Sequence, residues 1–218
     1  PLKEFQKSIK PKDLKQEENW KIFTAMFVGT VNDFFKYFEK NLDDFIELYG
    51  EEAVRQKYHY NYLMGYQSVL MTQKYEMADR YVKVLEKMDD EDMKRQYYSL
   101  RYMELDQTKG TDVAFASLSE WLEAGEPIDW SMLNSMAWNI YEKENATPDE
   151  LNRALELVEK SIEIDRNYYN VDTYAMLQFK AGQRERAIEL AEEAIRLAKE
   201  TGDDYADTQA ELEKMRGQ

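Results

Sequence analysis

Large apolar residues recur along this chain at three- and four-residue intervals between charged positions, and no window alternates at period two between turn signals. The pattern predicts helices from end to end. The first cover about 13–28 and 30–40, where Trp20, Phe23 and Phe27 recur at helical spacing. Asn41 is expected to N-cap a short helix ending at Gly50, a residue suited to the left-handed C′ position. Long helices follow, from about Glu51 to Thr72 and from Lys74 to Met88. Asp89 or Asp90 should cap the next, which reaches about Gln107, with Gly110 closing its turn. Thr111 opens a helix through Trp121 and Leu122 to Gly125, and Asp129 starts another.

The sharpest helix start is Thr147-Pro148-Asp149-Glu150, with a capping hydroxyl, proline at the first helical position and a carboxylate at the third. The apolar face it predicts is Leu151, Ala154, Leu155, Val158, Ile162 and Ile164, stopping near Asp165. Two more helices, about 170–181 and 183–200, flank the Ala181-Gly182 turn, and a last one covers about 203–216. Asp207 and Thr208 lower helix propensity there, so that end is expected to fray first. The four Pro and eight Gly fall almost entirely at predicted ends, which implies long helices joined by short turns.

The chain also repeats itself. Leu133-x-x-Met136-Ala137-x-x-Ile140-Tyr141 has the spacing of Val171-x-x-Tyr174-Ala175-x-x-Gln178-Phe179. The helices that follow match as well, Ala154 with Ala187 and Ser161 with Ala194, each pair 33 positions apart (154 to 187, 161 to 194). These residues resemble the tetratricopeptide repeat, a helix pair of about 34 residues with small residues where its helices cross. The first helices are offset by 38 positions (133 to 171), which places about five extra residues in the Glu144 to Pro148 loop. Arg166 and Lys199 stand where the family has its terminal proline. Lys74 to Leu85 looks like the second helix of a weaker unit, whose first helix around Tyr62 to Val69 fits with a one-residue slip, and 95–124 is a degenerate fourth.

The resemblance implies an all-α fold of antiparallel helix pairs forming a tetratricopeptide-like right-handed superhelical array. Its segments would be 1–56, an N-terminal helical part; 57–128, degenerate helix pairs; and 129–218, two repeats with a C-terminal capping helix. A second resemblance covers most of residues 15–205. Glu18-Asn19-Trp20-Lys21-Ile22-Phe23, Asn32-Asp33-Phe34-Phe35, Phe38, Asn41, Phe45 and Leu48-Tyr49-Gly50-Glu51-Glu52-Ala53-Val54 look like the helical region after the thioredoxin fold in some exported bacterial thioredoxin-like proteins. It implies a periplasmic or exported setting and a linked thioredoxin-fold domain as partner. No Cys-x-x-Cys is present, so no redox role transfers to any residue.

Composition narrows the chemistry. With 44 acidic against 29 basic side chains the net charge is −15, which disfavours nucleic acid and anionic lipid. The lysines Lys3, Lys7, Lys10, Lys12 and Lys15 are interrupted by Glu4, Asp13, Glu17 and Glu18 and read as a solvated surface. Zero cysteines remove disulfides, thiolate metal sites and a cysteine nucleophile. The most apolar stretch, Phe23 to Val31, is far short of the roughly 20 residues that span a bilayer. No charged and apolar leader pattern begins at Pro1, so any export signal is expected to have been removed.

His59 is the sole histidine, and a metal there would need carboxylates from elsewhere; a surface or groove histidine is the simpler expectation. The acids of Glu192-Glu193 and Asp89-Asp90-Glu91-Asp92 belong to solvated helix faces, and no phosphate loop, nucleophile elbow or His-Glu-x-x-His occurs. No cofactor is expected. Tyr58, Tyr60, Tyr62 and Tyr66 lie along one helix and Tyr97, Tyr98 and Tyr102 along another, either packed between helices or forming a ligand-facing stripe.

Family geometry implies a concave lining of Asn134, Trp138 and Tyr141, then Asp172, Met176 and Phe179. That lining is apolar and acidic. Carboxylate-clamp members of the family use Lys, Arg and Asn at such positions, which only Asn134 and Lys180 match, so an acidic chaperone tail is not the implied ligand. The expected function is a non-catalytic protein-interaction or scaffold module, in the second resemblance the helical appendage of a thioredoxin-like protein; the alternatives are a small-ligand or glycan binder using the aromatic groove, and an unrecognised enzyme.

Overall fold

Side chains that take the first free backbone N–H groups set where the helices begin. The computed structural model describes residue 5 and residues 7–217, so Pro1, Lys3 and Glu4 of the N-terminal segment lie outside it. Twelve α-helices and two short 3-10 turns, with no strand, make up the regular structure of the described residues. The chain divides between Pro127 and Ile128 into two compact units.

In the first unit a 3-10 turn, Pro11–Lys15, precedes α1 (Glu17–Met26), α2 (Asp33–Lys40), α3 (Leu42–Tyr49) and the long α4 (Glu51–Met71). A second 3-10 turn, Tyr75–Met77, leads into α5 (Ala78–Leu85), followed by α6 (Glu91–Lys109) and α7 (Thr111–Glu123). The segment edge expected at 56/57 falls inside α4. The expected 13–28 helix breaks at Gln16, whose extended backbone starts α1 afresh, and it ends at Met26 because Phe27 is extended. The 30–40 helix begins at Asp33, since the Asn32 side chain accepts from Phe35 N at 2.8 Å. Asn41 does not cap α3 with its side chain; its Nδ2 donates to Tyr37 O at 2.7 Å and closes α2 instead. The expected 74–88 helix is a 3-10 turn and a shorter α-helix. Asp90, not Asp89, caps α6, accepting from Met93 N at 2.9 Å.

The second unit holds α8 (Trp130–Tyr141), α9 (Pro148–Ile164), α10 (Tyr168–Lys180), α11 (Arg184–Thr201) and α12 (Ala206–Gly217). Asp129 caps α8 through Met132 N at 2.8 Å, and Thr147 and Glu150 form the reciprocal capping box. Burial on α9 differs at three residues: Leu157 and Ser161 are buried, whereas Ile164 is exposed at the helix end. The helix expected at 170 starts at Tyr168 because Asn167 accepts from Tyr169 N and Asn170 N. The one expected at 203 starts at Ala206, where Asp204 accepts from the backbone N–H at 3.0 Å. α8 packs on α9 and α10, and α10 on α11. Ala137, Ala154, Ala175 and Ala187 are completely buried at these contacts, where a methyl lets backbones approach closely.

Candidate functional site

On α8, Asn134, Trp138 and Tyr141 follow one another at four- and three-residue steps, so they share a helix face; Asp172, Met176 and Phe179 do the same on α10. The two faces meet in the second unit. Trp138, Tyr141 and Phe179 are half-buried against a core that contains Met176, so the rings keep one side toward solvent. Met176, only 3% exposed, belongs to the layer beneath. The Trp138 and Tyr141 rings lie 4.8 Å apart at 43°. Asn134 presents a buried Oδ1 with no hydrogen-bond partner.

A third helix joins this face, which the sequence did not announce. Thr208 of α12 is 2% exposed; its hydroxyl donates to Asp172 Oδ1 at 2.8 Å and pairs with the Tyr168 hydroxyl at 2.9 Å. Its low helix propensity is offset by these tertiary bonds, which correct the picture of a weak point. Burial raises the Asp172 carboxyl above its ordinary range; Asp207 and Glu211 push the same way, against the hydrogen bond from Thr208. Burial also raises the Tyr141 phenol, with Glu211 and Asp172 adding to the effect and Lys214 opposing it. Glu211 is itself paired with Lys214 at 2.6 Å.

Two nearby cations, Lys180 and Arg184, are bonded to backbone carbonyls. Lys180 Nζ donates to Tyr141 O and Lys143 O, both at 2.5 Å, and lies 5.3 Å from the centre of the Tyr141 ring. Arg184 donates to Met215 O at 2.6 Å and Arg216 O at 2.8 Å. Each satisfies carbonyls at a helix C-terminus, where the backbone dipole favours positive charge. Tyr141, Glu142, Phe179, Lys180 and Arg184 line an open cleft at this end of the face.

The tyrosines of the first unit serve packing. Tyr62, Tyr66, Tyr97, Tyr98 and Tyr102 are buried, while Tyr60 is exposed. Three carboxylates each bridge a tyrosine to a cation. Glu39 accepts from Tyr62 and meets Arg80 at 3.5 Å; Glu104 accepts from Tyr66 at 2.5 Å and pairs with Arg101; Glu126 accepts from Lys94 at 3.0 Å and acts electrostatically on the Tyr98 phenol. Burial pushes all three phenols up.

His59 is half-buried on α4, and its imidazole is pushed down by burial first and by Arg55, with Asp89 and Asp90 opposing. Among the described residues no three His, Asp or Glu side chains are grouped so as to hold a metal ion, and no helix is long and apolar enough to cross a membrane. Compared with family models, with curated proteins and with solved structures, the chain matches none.

Proposed function

We propose that this chain is a non-catalytic interaction module whose α8–α10–α12 face holds a protein or peptide segment carrying Lys or Arg beside an apolar side chain. In this reading α8–α9 and α10–α11 are antiparallel, tetratricopeptide-like pairs with α12 as their cap. Support for the pairing comes from Ala154 with Ala187 and Ser161 with Ala194, all fully buried at equivalent positions. A linked thioredoxin-fold domain is one partner that the resemblance over 15–205 offers.

One observation carries the proposal: half-buried Trp138, Tyr141 and Phe179 lie with Asp172 and Glu211, while Lys180 and Arg184 are already bound to helix carbonyls. Large aromatics with one free side are the anchors that dominate interface energetics. A cationic segment would relieve the repulsion among Asp172, Asp207 and Glu211.

The test uses fluorescence anisotropy with a labelled Leu/Phe peptide flanked by Lys and Arg, and a matched peptide flanked by Glu. Trp138→Ala and Phe179→Ala should each weaken the basic peptide by about 30-fold, the equivalent of about 2 kcal/mol, with melting temperatures largely kept. A collapse in melting temperature without selective loss of binding would make these rings core and reject the proposal. Equal binding of the Glu-flanked peptide would reject the stated partner chemistry.

A further inference from the structure

Unit one contains a cleft that the tyrosine packing leaves open. It lies among the 28–31 connection, the C-terminal half of α4 and the Tyr75–Met77 turn. Gly65 sets its floor: a Cβ there would run into the Tyr81 ring, so only glycine lets that ring lie against the α4 backbone. The Tyr81 hydroxyl is spent on Thr30 at 2.9 Å, and the Thr72 hydroxyl on Ser68 O at 2.7 Å.

The walls are apolar and unusually open. Val28 is 55% exposed, Val31 71% and Met77 36%, with half-buried Met64 beside them. Exposed apolar side chains gathered around one concavity mark a binding surface more often than scattered ones do, and methionine adapts to the shape of what it meets. The volume, about 400 Å³, falls within the range of small-molecule sites.

The polar lining is equally selective. Among the described residues no carboxylate lines the cleft, although the chain carries 44 acidic residues. Among the described lining residues the one charged group is Lys74, placed at the rim by Gln73, which turns the chain left-handed at φ 55° so that Lys74 N reaches Val69 O at 3.0 Å. Among the described residues Lys74 makes no ion pair, and the hydroxyl of Ser68 makes no hydrogen bond. An apolar wall with a single free cation and a free hydroxyl complements one ligand type.

We propose that this cleft binds a small apolar molecule bearing one carboxylate, with the tail covering Val28, Val31 and Met77 and the carboxylate meeting Lys74 and Ser68. The assignment is independent of the α8–α10–α12 face.

Calorimetric titration of the full chain with sodium decanoate, kept below its micelle concentration, tests it against decanol and decyltrimethylammonium. Decanoate should bind saturably at one equivalent, about tenfold or more tighter than either control. Lys74→Glu should abolish or reverse that preference, and Val31→Asp should weaken decanoate by about tenfold or more. Both positions are exposed, so the melting temperature should hold, and Trp138→Ala should leave decanoate binding intact. Absent or unsaturable binding, equal affinity for the anionic and cationic probes, or an indifferent Lys74→Glu variant would each overturn the proposal. Binding of acetyl-Val-Leu through its free carboxylate, with none of decanoate, would overturn it in favour of a peptide end.

Discussion

Up to Pro127 the helices are spaced by rings, and from Ile128 onward largely by methyl groups. Trp20, Phe23, Phe38 and Phe45 form a continuous aromatic cluster with centroids 5.2 to 5.7 Å apart, and Trp20 stacks on Tyr49 at 4.9 Å. Ala175, Ala187, Ala191, Ala194 and Ala198 are completely buried in the core of the second unit. Rings bury much area but, when they are tyrosines, bring hydroxyls that need acceptors. The first unit supplies carboxylates for them and then cations for the carboxylates. Alanine brings no such demand, and the bonds around Ser161 in the second unit are neutral: Ser161 donates to Trp130 O at 2.8 Å and accepts from Asn170 Nδ2 at 3.1 Å, while the buried Asp172 carboxyl takes the neutral Thr208 hydroxyl. A core of tyrosine rings therefore carries an electrostatic burden at each buried hydroxyl, which a core of small residues confines to a single site such as Asp172.

Removing one carboxylate separates the two regimes most widely. Glu104→Ala leaves Arg101 and the Tyr66 hydroxyl without their partner in a buried setting, and should cost about 3–5 kcal/mol in chemical denaturation. Ser161→Ala breaks a neutral bond of the second unit and should cost about 1–2 kcal/mol. Equal losses would dissolve the contrast. Next in size, Ala154→Phe forces a ring into a methyl-spaced crossing and should cost about 1–3 kcal/mol or more, read as a lower melting temperature. An unchanged melt would mean that Ala154 does not hold α8 and α9 close.

The smallest effect is on pH dependence. Lys57 Nζ donates to Thr24 O at 2.8 Å and Phe27 O at 2.6 Å, 5.5 Å from the Phe23 ring centre, and burial pushes the amine down to about 8. The unfolded amine keeps its proton to about pH 10.4, so above pH 8 the unfolded chain binds more protons and this group makes stability rise with pH. Between about pH 8 and 9.5, Lys57→Met should flatten that rise by about 1 kcal/mol, measured by denaturant titration at each pH. A wild-type curve with the same slope as the variant would place the charge in a less costly site.

The all-α class was legible because apolar spacing and cap chemistry are local. The capping box at Thr147, the Asp129 cap and the close positions of Ala137, Ala154, Ala175 and Ala187 are written within a few residues of where they act. The break at Gln16 and the 3-10 turn at Tyr75 were hidden, since their neighbours all favour helix and tertiary packing decides the outcome. The lining Asn134, Trp138, Tyr141, Asp172, Met176 and Phe179 could be named from the tetratricopeptide resemblance, and within it the burial of Met176 beneath the rings is set by packing that a single sequence does not display. Thr208 was missed because its partner Asp172 lies 36 positions away, beyond any local pattern. The acceptors of Tyr62 and Tyr66 lie 23 and 38 positions from them and are equally invisible in a single sequence.

The connection between α8 and α9 is anchored at both ends. Lys180 closes the carbonyls of α8, while Thr147 and Glu150 start α9, with Lys143 Nζ on the Glu150 carboxylate at 3.0 Å. Glu144 and Asn145 are left exposed, with neither helix depending on them. Lengthening a loop whose ends are held costs only about 0.6 kcal/mol per doubling. That point is thus a permissive splice site, where a tag, a reporter or a whole inserted domain could be carried while both flanking helices keep their registration.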